Sequence, residues 1–379
     1  MLAWWDAGRR DMPWRFAPGR EDPYRTWVSE VMLQQTRVEA VVPYYGRFVE
    51  RWPTLRSLAQ AREEDVLAAW SGLGYYARGR NLWRAAREAL RRHGGLPSSA
   101  RELRELPGFG PYTAGAVASI AFGEAVPAVD GNAARVLARI LAVRRDGPPA
   151  RRTLEAFAAT LVDRERPGAW NQALMELGAT VCLPRRPRCH LCPLAPRCVA
   201  RERGLTAAIP ARRRRAPRRR LLLALARVER DGRVLLERRP GAGLFAGLWQ
   251  LPGAEIGVGE SPGPALGRVL ARRLGAPARV GPEVGRVERE LTHRVLEMRV
   301  FRCDIASDPC PGRRGRLRWA GPGEVSRLGL PTAMREAMHA SEGWDGEGPG
   351  AEAGGGVAGR GKSEARRGRG PLTSRASTV

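Results

Sequence analysis

Apolar residues recur at three- and four-residue intervals through the first 205 positions of the chain, and this spacing predicts helices. Clear examples are residues 54–70, 79–92 and 152–163, which are separated by turns that contain proline or glycine. The pattern therefore predicts an all-α domain over residues 1–205.

A glycine-containing turn with the sequence LPGFG interrupts the helical pattern at residues 106–110. Pro107 ends a preceding helix, and the two glycines permit a tight turn. Pro111 suits the first position of the next helix, and Asp130 suits the N-cap of the one after it. The spacing predicts two helices joined by a glycine hairpin, whose free N–H groups suit a phosphate oxygen. The same spacing also fits an αα-corner with a capping aspartate and no ligand.

The pattern changes after residue 220. Residues 221–230, 233–239 and 294–303 have the composition of strands, with turns such as Asp231-Gly232 between them, and they predict an α+β domain over residues 221–340. The run ARRRRAPRRR has no apolar face, so residues 206–220 are predicted to be a flexible basic linker. Residues 341–379 are rich in Gly, Ser, Arg and Glu and are predicted to be a disordered tail.

The charge of the chain indicates a partner. Lys and Arg number 65 against 39 Asp and Glu, a formal net charge of +26, which favours a polyanion such as nucleic acid. Lys362 is the only lysine. No apolar run reaches the roughly 18 residues of a membrane helix. We therefore expect no membrane partner and a cytoplasmic location, nucleoid-associated in a bacterium.

Four of the six cysteines are clustered as C-x6-C-x2-C-x5-C, at Cys182, Cys189, Cys192 and Cys198. Prolines stiffen this loop, and four thiolates can hold either zinc or an iron–sulfur cluster, which the spacing leaves about equally favoured. Disulfide bonds are a distant third possibility. Arginines on the same loop suggest that the metal centre braces a phosphate-binding surface.

The hairpin, the aspartate that follows it and the cysteine spacing together resemble the endonuclease III superfamily of DNA glycosylases, and most closely its MutY-type adenine DNA glycosylases. The resemblance is dense over residues 1–205 and looser to about residue 335. It implies a multidomain protein: an all-α helix-hairpin-helix glycosylase domain with a 4Fe–4S cluster in the loop 182–198, then an α+β Nudix-like domain. The matching stretches are 11–15 (DMPWR), 22–24 (DPY), 27–36 (WVSEVMLQQT), 72–78 (GLGYYAR), 106–110 (LPGFG), 129–132 (VDGN) and 171–178 (NQALMELG).

Cleavage of the adenine N-glycosidic bond needs an acid for the leaving base and an anion near the cationic sugar. The base must also leave the helical stack. By resemblance, Glu30 is the acid that protonates adenine N7, and Asp130 stabilises the sugar cation. Glu30 lies between Val28 and Val31 on an apolar helix start, a setting that raises the pKa of a carboxyl group.

Tyr112 decides the reaction subclass. In bifunctional members of the superfamily this position carries a lysine that forms a Schiff base and drives strand cleavage. Here it is tyrosine, so the resemblance implies a monofunctional glycosylase unless the N-terminal amine substitutes. Tyr112 and Asn132 would then orient Asp130 and the attacking water.

Other matching positions imply contacts with the DNA. Trp14, Arg15 and Gln172 match residues around the flipped adenine. Gln34 and Tyr75 match residues that wedge into the duplex beside the lesion, and Arg78 and Arg80 are candidate phosphate clamps. The remaining predicted DNA-binding residues are Gln35, Thr36, Gly108 and Gly110.

Residues 248–253 (LWQLPG) and the strand pattern resemble the Nudix-like domain that MutY proteins use to read 8-oxoguanine. No acidic metal-binding box follows, so pyrophosphatase activity is not expected. The family's lesion-reading loop is typically Phe-Ser-His, whereas this chain has Leu291-Thr292-His293. Thr292 and His293 are therefore the predicted lesion contacts, although the aromatic residue is missing.

These features predict a monomeric, monofunctional adenine DNA glycosylase of base excision repair, with a 4Fe–4S cofactor. Its predicted partner is duplex DNA with adenine opposite 8-oxoguanine or guanine. One alternative is an endonuclease III-like pyrimidine-lesion glycosylase, which Tyr112 and the second domain oppose. The other is a non-catalytic iron–sulfur DNA-binding protein, which would need neither Glu30 nor Asp130.

Overall fold

The computed structural model describes residues 1–341, except for 18, 146, 212–216, 242, 276 and 307–315. The predicted tail, apart from Ser341, lies outside the described residues, as does the middle of the predicted linker. Among the described residues, no helix has the length and apolar character needed to cross a membrane.

The first part of the chain is helical, as predicted. Its helices are α1 (Leu2–Gly8), α2 (Pro23–Leu33), α3 (Val38–Arg51), α4 (Leu55–Gln60), α5 (Glu63–Ala69), α6 (Ala77–His93), α7 (Ala100–Leu103), α8 (Pro111–Phe122), α9 (Gly131–Ile140), α10 (Pro148–Leu161), α11 (Pro167–Thr180) and α12 (Val199–Glu202). The predicted hairpin between helices is confirmed, with Pro111 at the start of α8 and Asp130 at the N-cap of α9.

The predicted continuous helix over residues 54–70 is wrong, because the chain forms α4 and α5 with a break at Ala61 and Arg62. Both residues have extended backbone conformations. The first turn of α5 is entirely acidic, and carboxylates stabilise a helix N-terminus. The local charge pattern therefore begins a new helix where apolar spacing alone predicts continuation.

Asn171 on α11 fixes the segment that leads to Asp130. Its side chain is fully buried, accepts the Ala128 N–H at 2.8 Å, and donates to Ser119 Oγ at 2.8 Å and to the Val126 carbonyl at 2.9 Å. Close packing continues at Gly178, where an added Cβ would lie 2.6 Å from Asn132 Cβ. These contacts hold α11 against the start of α9.

Among its described residues, the second part contains two sheets and three helices. The first sheet has the strand order β5-β1-β7-β6, and the second has β2-β3-β4 with β8 paired to β3. Only the β1–β7 pairing is parallel among the described strands. The elements are β1 (Arg219–Arg227), β2 (Glu229–Arg230), β3 (Arg233–Arg238), β4 (Trp249–Gln250), β5 (Gly253–Ile256), α13 (Pro262–Leu274), β6 (Ala278–Glu290), β7 (Arg294–Ile305), β8 (Leu317–Ala320), α14 (Pro322–Arg327) and α15 (Thr332–His339).

The predicted linker is too long at its C-terminal end. Arg219 and Arg220 belong to β1 and pair with Arg294 and Val295 of β7. A run of arginines in a sequence is typical of solvated coil. At the start of β1, however, the arginine side chains are exposed while their backbone is paired with β7.

The helical and sheet-containing parts share an interface. Leu248 is buried in the helical core, and Trp249 Nε1 donates to Glu64 at 2.8 Å. Ser71 Oγ donates to the Leu330 carbonyl at 2.5 Å. Gly329 lies so close to α5 that an added Cβ would be 3.2 Å from the Ala68 nitrogen. The described residues of both parts accordingly belong to one compact unit.

Candidate functional site

A cavity of about 500 Å³ opens where α2, α8, α9 and α11 converge. α2 packs on α8, and α11 packs on both α8 and α9, so these contacts fix the walls of the cavity. The cavity brings together ten of the predicted site residues: Trp14, Arg15, Glu30, Gln34, Gln35, Thr36, Tyr112, Asp130, Asn132 and Gln172.

Glu30 is a buried carboxyl in the wall of this cavity, with only 7% of its surface exposed. Burial raises its pKa to about 7, the Tyr112 hydrogen bond opposes that rise, and the charge of Asp130 adds to it. A glutamic acid with such a pKa carries its proton at near-neutral pH. The apolar setting predicted for Glu30 is confirmed.

Tyr112 lies in the first turn of α8 and is hydrogen-bonded to Glu30. Its hydroxyl donates to Glu30 Oε2 at 2.5 Å and lies 3.2 Å from the Met175 sulfur. Burial, followed by the nearby Glu30 and Asp130 carboxyls, raises the Tyr112 pKa well above its usual value. The Tyr112 hydroxyl is thus bonded to Glu30, and its role in orienting Asp130 stays a prediction.

Asp130 has a different environment. Its Oδ1 accepts the Ala133 N–H at 2.6 Å, which caps α9, and its Oδ2 accepts from Asn132 Nδ2 at 3.1 Å. The predicted partnership of Asp130 with Asn132 is confirmed. Two donors therefore fix the position of this carboxylate in the wall of the cavity.

Arg135 links the start of α9 to the cysteine loop. Its guanidinium donates at 2.8 Å to Asn132 Oδ1, to the Gly178 carbonyl and to the Cys182 carbonyl. Through Asn132, this arginine joins the loop to the carboxylate of Asp130. Sequence pattern alone does not predict this role, since an arginine inside an amphipathic helix is usually exposed.

All four predicted metal ligands, Cys182, Cys189, Cys192 and Cys198, line one small cavity, and none forms a disulfide bond. Burial raises the pKa of Cys192, and the other three thiols raise it further. Among the described residues, no three His, Cys, Asp or Glu side chains are grouped closely enough to hold one metal ion. The four cysteines thus share one cavity, and their binding of a metal centre stays a prediction.

Glu176, Arg10, Arg151 and Met175 also line the cavity that contains Glu30 and Asp130, but they were not predicted. Glu176 is paired with Arg10 and with Arg15. Gln172, Met175, Glu176 and Ala179 recur at positions i, i+3, i+4 and i+7 of α11, so they occupy one helix face. The presence of Gln172 on that face is a signal that could have identified Glu176.

Two predicted DNA-contacting residues have strained backbones. Gln35 and Tyr75 have φ values of 58° and 47°, which non-glycine residues rarely adopt and which concentrate at functional sites. Both side chains are exposed, Tyr75 by 43%. Gln34, beside Gln35, instead donates to Thr113 Oγ1 at 3.0 Å.

The hairpin glycines differ from each other. Gly108 has a φ of 83°, and an added Cβ would lie 2.7 Å from Asn81 Cβ, so no other residue fits there without strain. Gly110 is exposed and extended at the N-cap of α8. Their contact with a phosphate stays a prediction.

Arg80 and Arg78 correct the prediction of phosphate clamps. Arg80 is only 6% exposed and pairs with Glu63 at 2.9 Å and with the Ala246 carbonyl. The Arg78 guanidinium donates to Thr36 Oγ1 and to backbone carbonyls, and burial lowers its pKa to about 10. Both arginines stabilise the fold, because their guanidinium N–H groups donate to oxygen atoms of the protein. The carbonyls bound by Arg78 are those of Val31, Met32, Gln34, Leu73 and Gly74.

A second cavity, of about 730 Å³, lies between the helical and sheet-containing parts and is lined by Tyr75, Phe245, Thr292 and His293. Thr292 and His293 form the exposed turn between β6 and β7. The Tyr75 hydroxyl lies 2.5 Å from Thr292 Oγ1. The predicted wedge residue and the predicted lesion-reading loop therefore meet at one cavity.

The two parts of the chain match two known families. Residues 28–161 match the HhH-GPD superfamily base excision DNA repair proteins, and residues 223–340 match the NUDIX domain. The predicted order of a helix-hairpin-helix glycosylase domain and a Nudix-like domain is confirmed.

Curated adenine DNA glycosylases are similar over most of the chain. The Rattus norvegicus protein is 37% identical over 404 residues, covering 90% of this chain and 77% of that protein. The Homo sapiens protein is 36% identical over 400 residues, covering 90% and 73%. The Mycolicibacterium smegmatis protein is 42% identical over 214 residues, covering 56% and 72%.

Solved structures are similar to parts of the chain. The structure of a thermostable thymine-DNA glycosylase covers 53% of this chain and 93% of that chain, with 28% identity and a TM-score of 0.47. A non-covalent endonuclease III–DNA complex covers 49% of this chain and 87% of that chain, with 24% identity and a TM-score of 0.44.

Proposed function

This chain belongs to the family of adenine DNA glycosylases, and from that premise we propose which residues release the base and which mispair they act on. The enzyme is a hydrolase of base excision repair that cleaves the N-glycosidic bond of adenine in DNA. The cavity of about 500 Å³ that contains Glu30 and Asp130, called the catalytic cavity from here on, is the site of this reaction.

Glu30 is the acid that protonates N7 of the flipped adenine. The observation that carries this assignment is a buried carboxyl with a pKa of about 7, hydrogen-bonded to Tyr112 in a cavity shared with Asp130. An ordinary glutamate, with a pKa of about 4.3, is ionised at neutral pH and has no proton to give. Burial thus keeps Glu30 in the form that an acid needs.

Asp130 stabilises the positive charge that develops on the sugar. As the C1′–N9 bond breaks, its electron pair leaves with the protonated base, and the sugar becomes cationic. Asp130 is held by Asn132 and by its cap bond to Ala133, so its carboxylate needs little rearrangement when the cation forms. Water then adds to C1′, and its proton returns to Glu30.

The enzyme is monofunctional. Strand cleavage through a Schiff base needs an amine next to C1′, and Tyr112 occupies the position where bifunctional relatives carry lysine. Its hydroxyl is engaged with Glu30 and cannot form an imine. The product is accordingly an abasic site in an uncut strand.

Cys182, Cys189, Cys192 and Cys198 hold a 4Fe–4S cluster. The four thiols line one cavity and form no disulfide bond, and four cysteine thiolates are the ligand set of a 4Fe–4S cluster. The resemblance of the loop to that of the endonuclease III superfamily favours the cluster over zinc. When bound, the cluster supplies iron–thiolate bonds that brace the loop, and Arg135 connects that loop to Asn132.

The substrate is duplex DNA with adenine opposite 8-oxoguanine or guanine. Tyr75 and Thr292 meet at the larger cavity, which the helical and sheet-containing parts form together. A threonine hydroxyl can accept from the N7–H that 8-oxoguanine has and guanine lacks. Thr292 and His293 are therefore the residues that favour the oxidised base.

Single-turnover assays on three duplexes test this function. The duplexes hold adenine opposite 8-oxoguanine, adenine opposite guanine, and thymine glycol. We expect adenine release from the first two, faster from the first, with the strand uncut until alkali is added. Release of thymine glycol with no release of adenine would contradict the proposed function.

A further inference from the structure

Glu30 faces charged and polar groups on three sides of the cavity. Tyr112 approaches from α8, Asp130 from the start of α9, and Arg15 from the segment before α2. Arg15 is the cation among these neighbours, and a positive charge favours the ionised form of a carboxyl group. Arg15 thus favours loss of the proton that the acid has to deliver.

Glu176 holds Arg15 in place. Its carboxylate is 3% exposed and accepts from Arg15 Nη2 at 2.9 Å. Arg15 also donates to the Arg10 carbonyl at 2.7 Å, and its guanidinium lies 4.6 Å from the centroid of the Trp5 ring. The Arg15 side chain is consequently fixed on three sides in the wall of the cavity.

The same carboxylate binds a second arginine. Arg10 donates through Nε at 2.5 Å and through Nη2 at 2.9 Å, which is the two-pronged geometry typical of strong arginine–carboxylate pairs. Glu39 contributes a further negative charge near Arg10. With Glu176 ionised, the group of Arg10, Arg15 and Glu176 carries one net positive charge instead of two.

We propose that Glu176 is a positioning residue that fixes Arg15 and offsets its charge, so that Glu30 stays protonated and able to act as the acid. This inference rests on the proposed role of Glu30. It follows from a buried carboxylate that binds both Arg10 and Arg15 in the wall of the cavity that holds the acid, where charges are screened less than in water.

The pH dependence of single-turnover adenine release, at saturating enzyme, tests this role. The wild-type rate should fall as pH rises through the Glu30 pKa of about 7, because the protonated form is the active one. Glu176→Gln keeps the side-chain size but removes the negative charge, so the fall should begin at lower pH by about half a unit or more. The rate of adenine release by Glu176→Gln, relative to the wild-type rate, should therefore be lower at pH 8 than at pH 5.5.

Arg10→Met removes a positive charge, whereas Glu176→Gln removes a negative one. Arg10 is 37% exposed in its side chain, so its removal is better tolerated, and it leaves Glu176 to neutralise Arg15 alone. The fall in rate should move to higher pH. Glu155→Gln is the matched control, because Glu155 pairs at 2.7 Å with Arg151, an arginine that lines the cavity but is not among the groups that shift the Glu30 pKa. That variant should keep the wild-type pH profile.

The possible outcomes distinguish the role of Glu176 from the role of Glu30 on which it rests. A Glu176→Gln variant slowed by the same factor at every pH, together with an unmoved profile in Arg10→Met, would overturn the role of Glu176. Opposite shifts in the two variants support it. Glu30→Gln is measured in parallel, and near-wild-type excision by that variant would overturn the role of Glu30 and with it the role of Glu176.

Discussion

The two carboxyl groups of the catalytic cavity differ because their neighbours differ. Glu30 is buried and has one hydrogen-bond donor, Tyr112, whereas the Asp130 carboxylate accepts from Asn132 and from the Ala133 N–H. Burial raises the pKa of Glu30 to about 7, whereas two donors fix the position of the Asp130 carboxylate. In the proposed reaction, the first group supplies a proton and the second faces the cationic sugar.

A residue-scale prediction concerns the turn between β6 and β7. Thr292→Val removes the hydroxyl while keeping the side-chain shape, so the preference for adenine opposite 8-oxoguanine over guanine should fall about ten-fold, the equivalent of one lost contact. Thr332→Val is the control, since Thr332 lines the same cavity. Single-turnover rates on both mispairs measure the preference. An unchanged preference in Thr292→Val would exclude Thr292 as the reader of the lesion.

At the scale of elements, the hairpin and α9 were predictable because their signals are local. Pro107, Gly108 and Asp130 each dictate the backbone at their own position. The separation of α4 from α5 was missed, although the acidic first turn of α5 is visible in the sequence.

The strands were predicted only in part. Strands β1, β3 and β7 have apolar runs, whereas the short β4, β5 and β8 depend on partners distant in sequence. β6 contains glycine and proline, and its pairing with β7 is irregular between Val280 and Gly285. Such strands form because a neighbouring strand offers hydrogen bonds, which single-chain periodicity does not record.

The site residues show the same contrast between local signals and contacts with distant segments. Glu30 was identified by its place in the stretch 27–36 that resembles the family, and its apolar flanks predicted a raised pKa. The buried roles of Arg78, Arg80 and Arg135 depend on carbonyl groups supplied by other segments. Charge in a sequence suggests solvent or DNA, and only the fold reveals an internal acceptor.

An element-scale prediction separates the capping role of Asp130 from its chemical role. Asparagine caps a helix about as well as aspartate, whereas alanine costs about 0.5–2 kcal/mol. Asp130→Asn should therefore retain most of the free energy of unfolding in urea, and Asp130→Ala should lose about 1 kcal/mol. Both should lose adenine excision. Activity in Asp130→Asn close to wild type would show that the negative charge is not needed.

At the scale of the whole molecule, the sheet-containing part contributes a residue to the core of the helical part. Leu248 is buried in that core, Trp249 bonds to Glu64, and Arg80 bonds to the Ala246 carbonyl. The two parts therefore meet through specific contacts, and the cavity lined by Tyr75 and Thr292 exists only when both are present.

A truncated chain tests this interface. Ending the protein at residue 211 should leave a helical fragment that excises adenine but is less stable, because burial of one leucine is worth about 1.5–3 kcal/mol. Its midpoint of thermal unfolding should fall by roughly 5 °C or more. A chain ending at residue 341 is the control, because it keeps every described contact. Equal midpoints for the fragment and the control would contradict the interface.

The most direct test of the central claim is the single-turnover rate of adenine release opposite 8-oxoguanine, measured across pH for the wild type and for Glu30→Gln. Duplex affinity is measured in parallel. The buried acid predicts a wild-type rate that falls as pH rises through about 7, and a variant that binds DNA within several-fold of wild type but releases no adenine. A Glu30→Gln enzyme that excises adenine at near-wild-type rate would contradict the account.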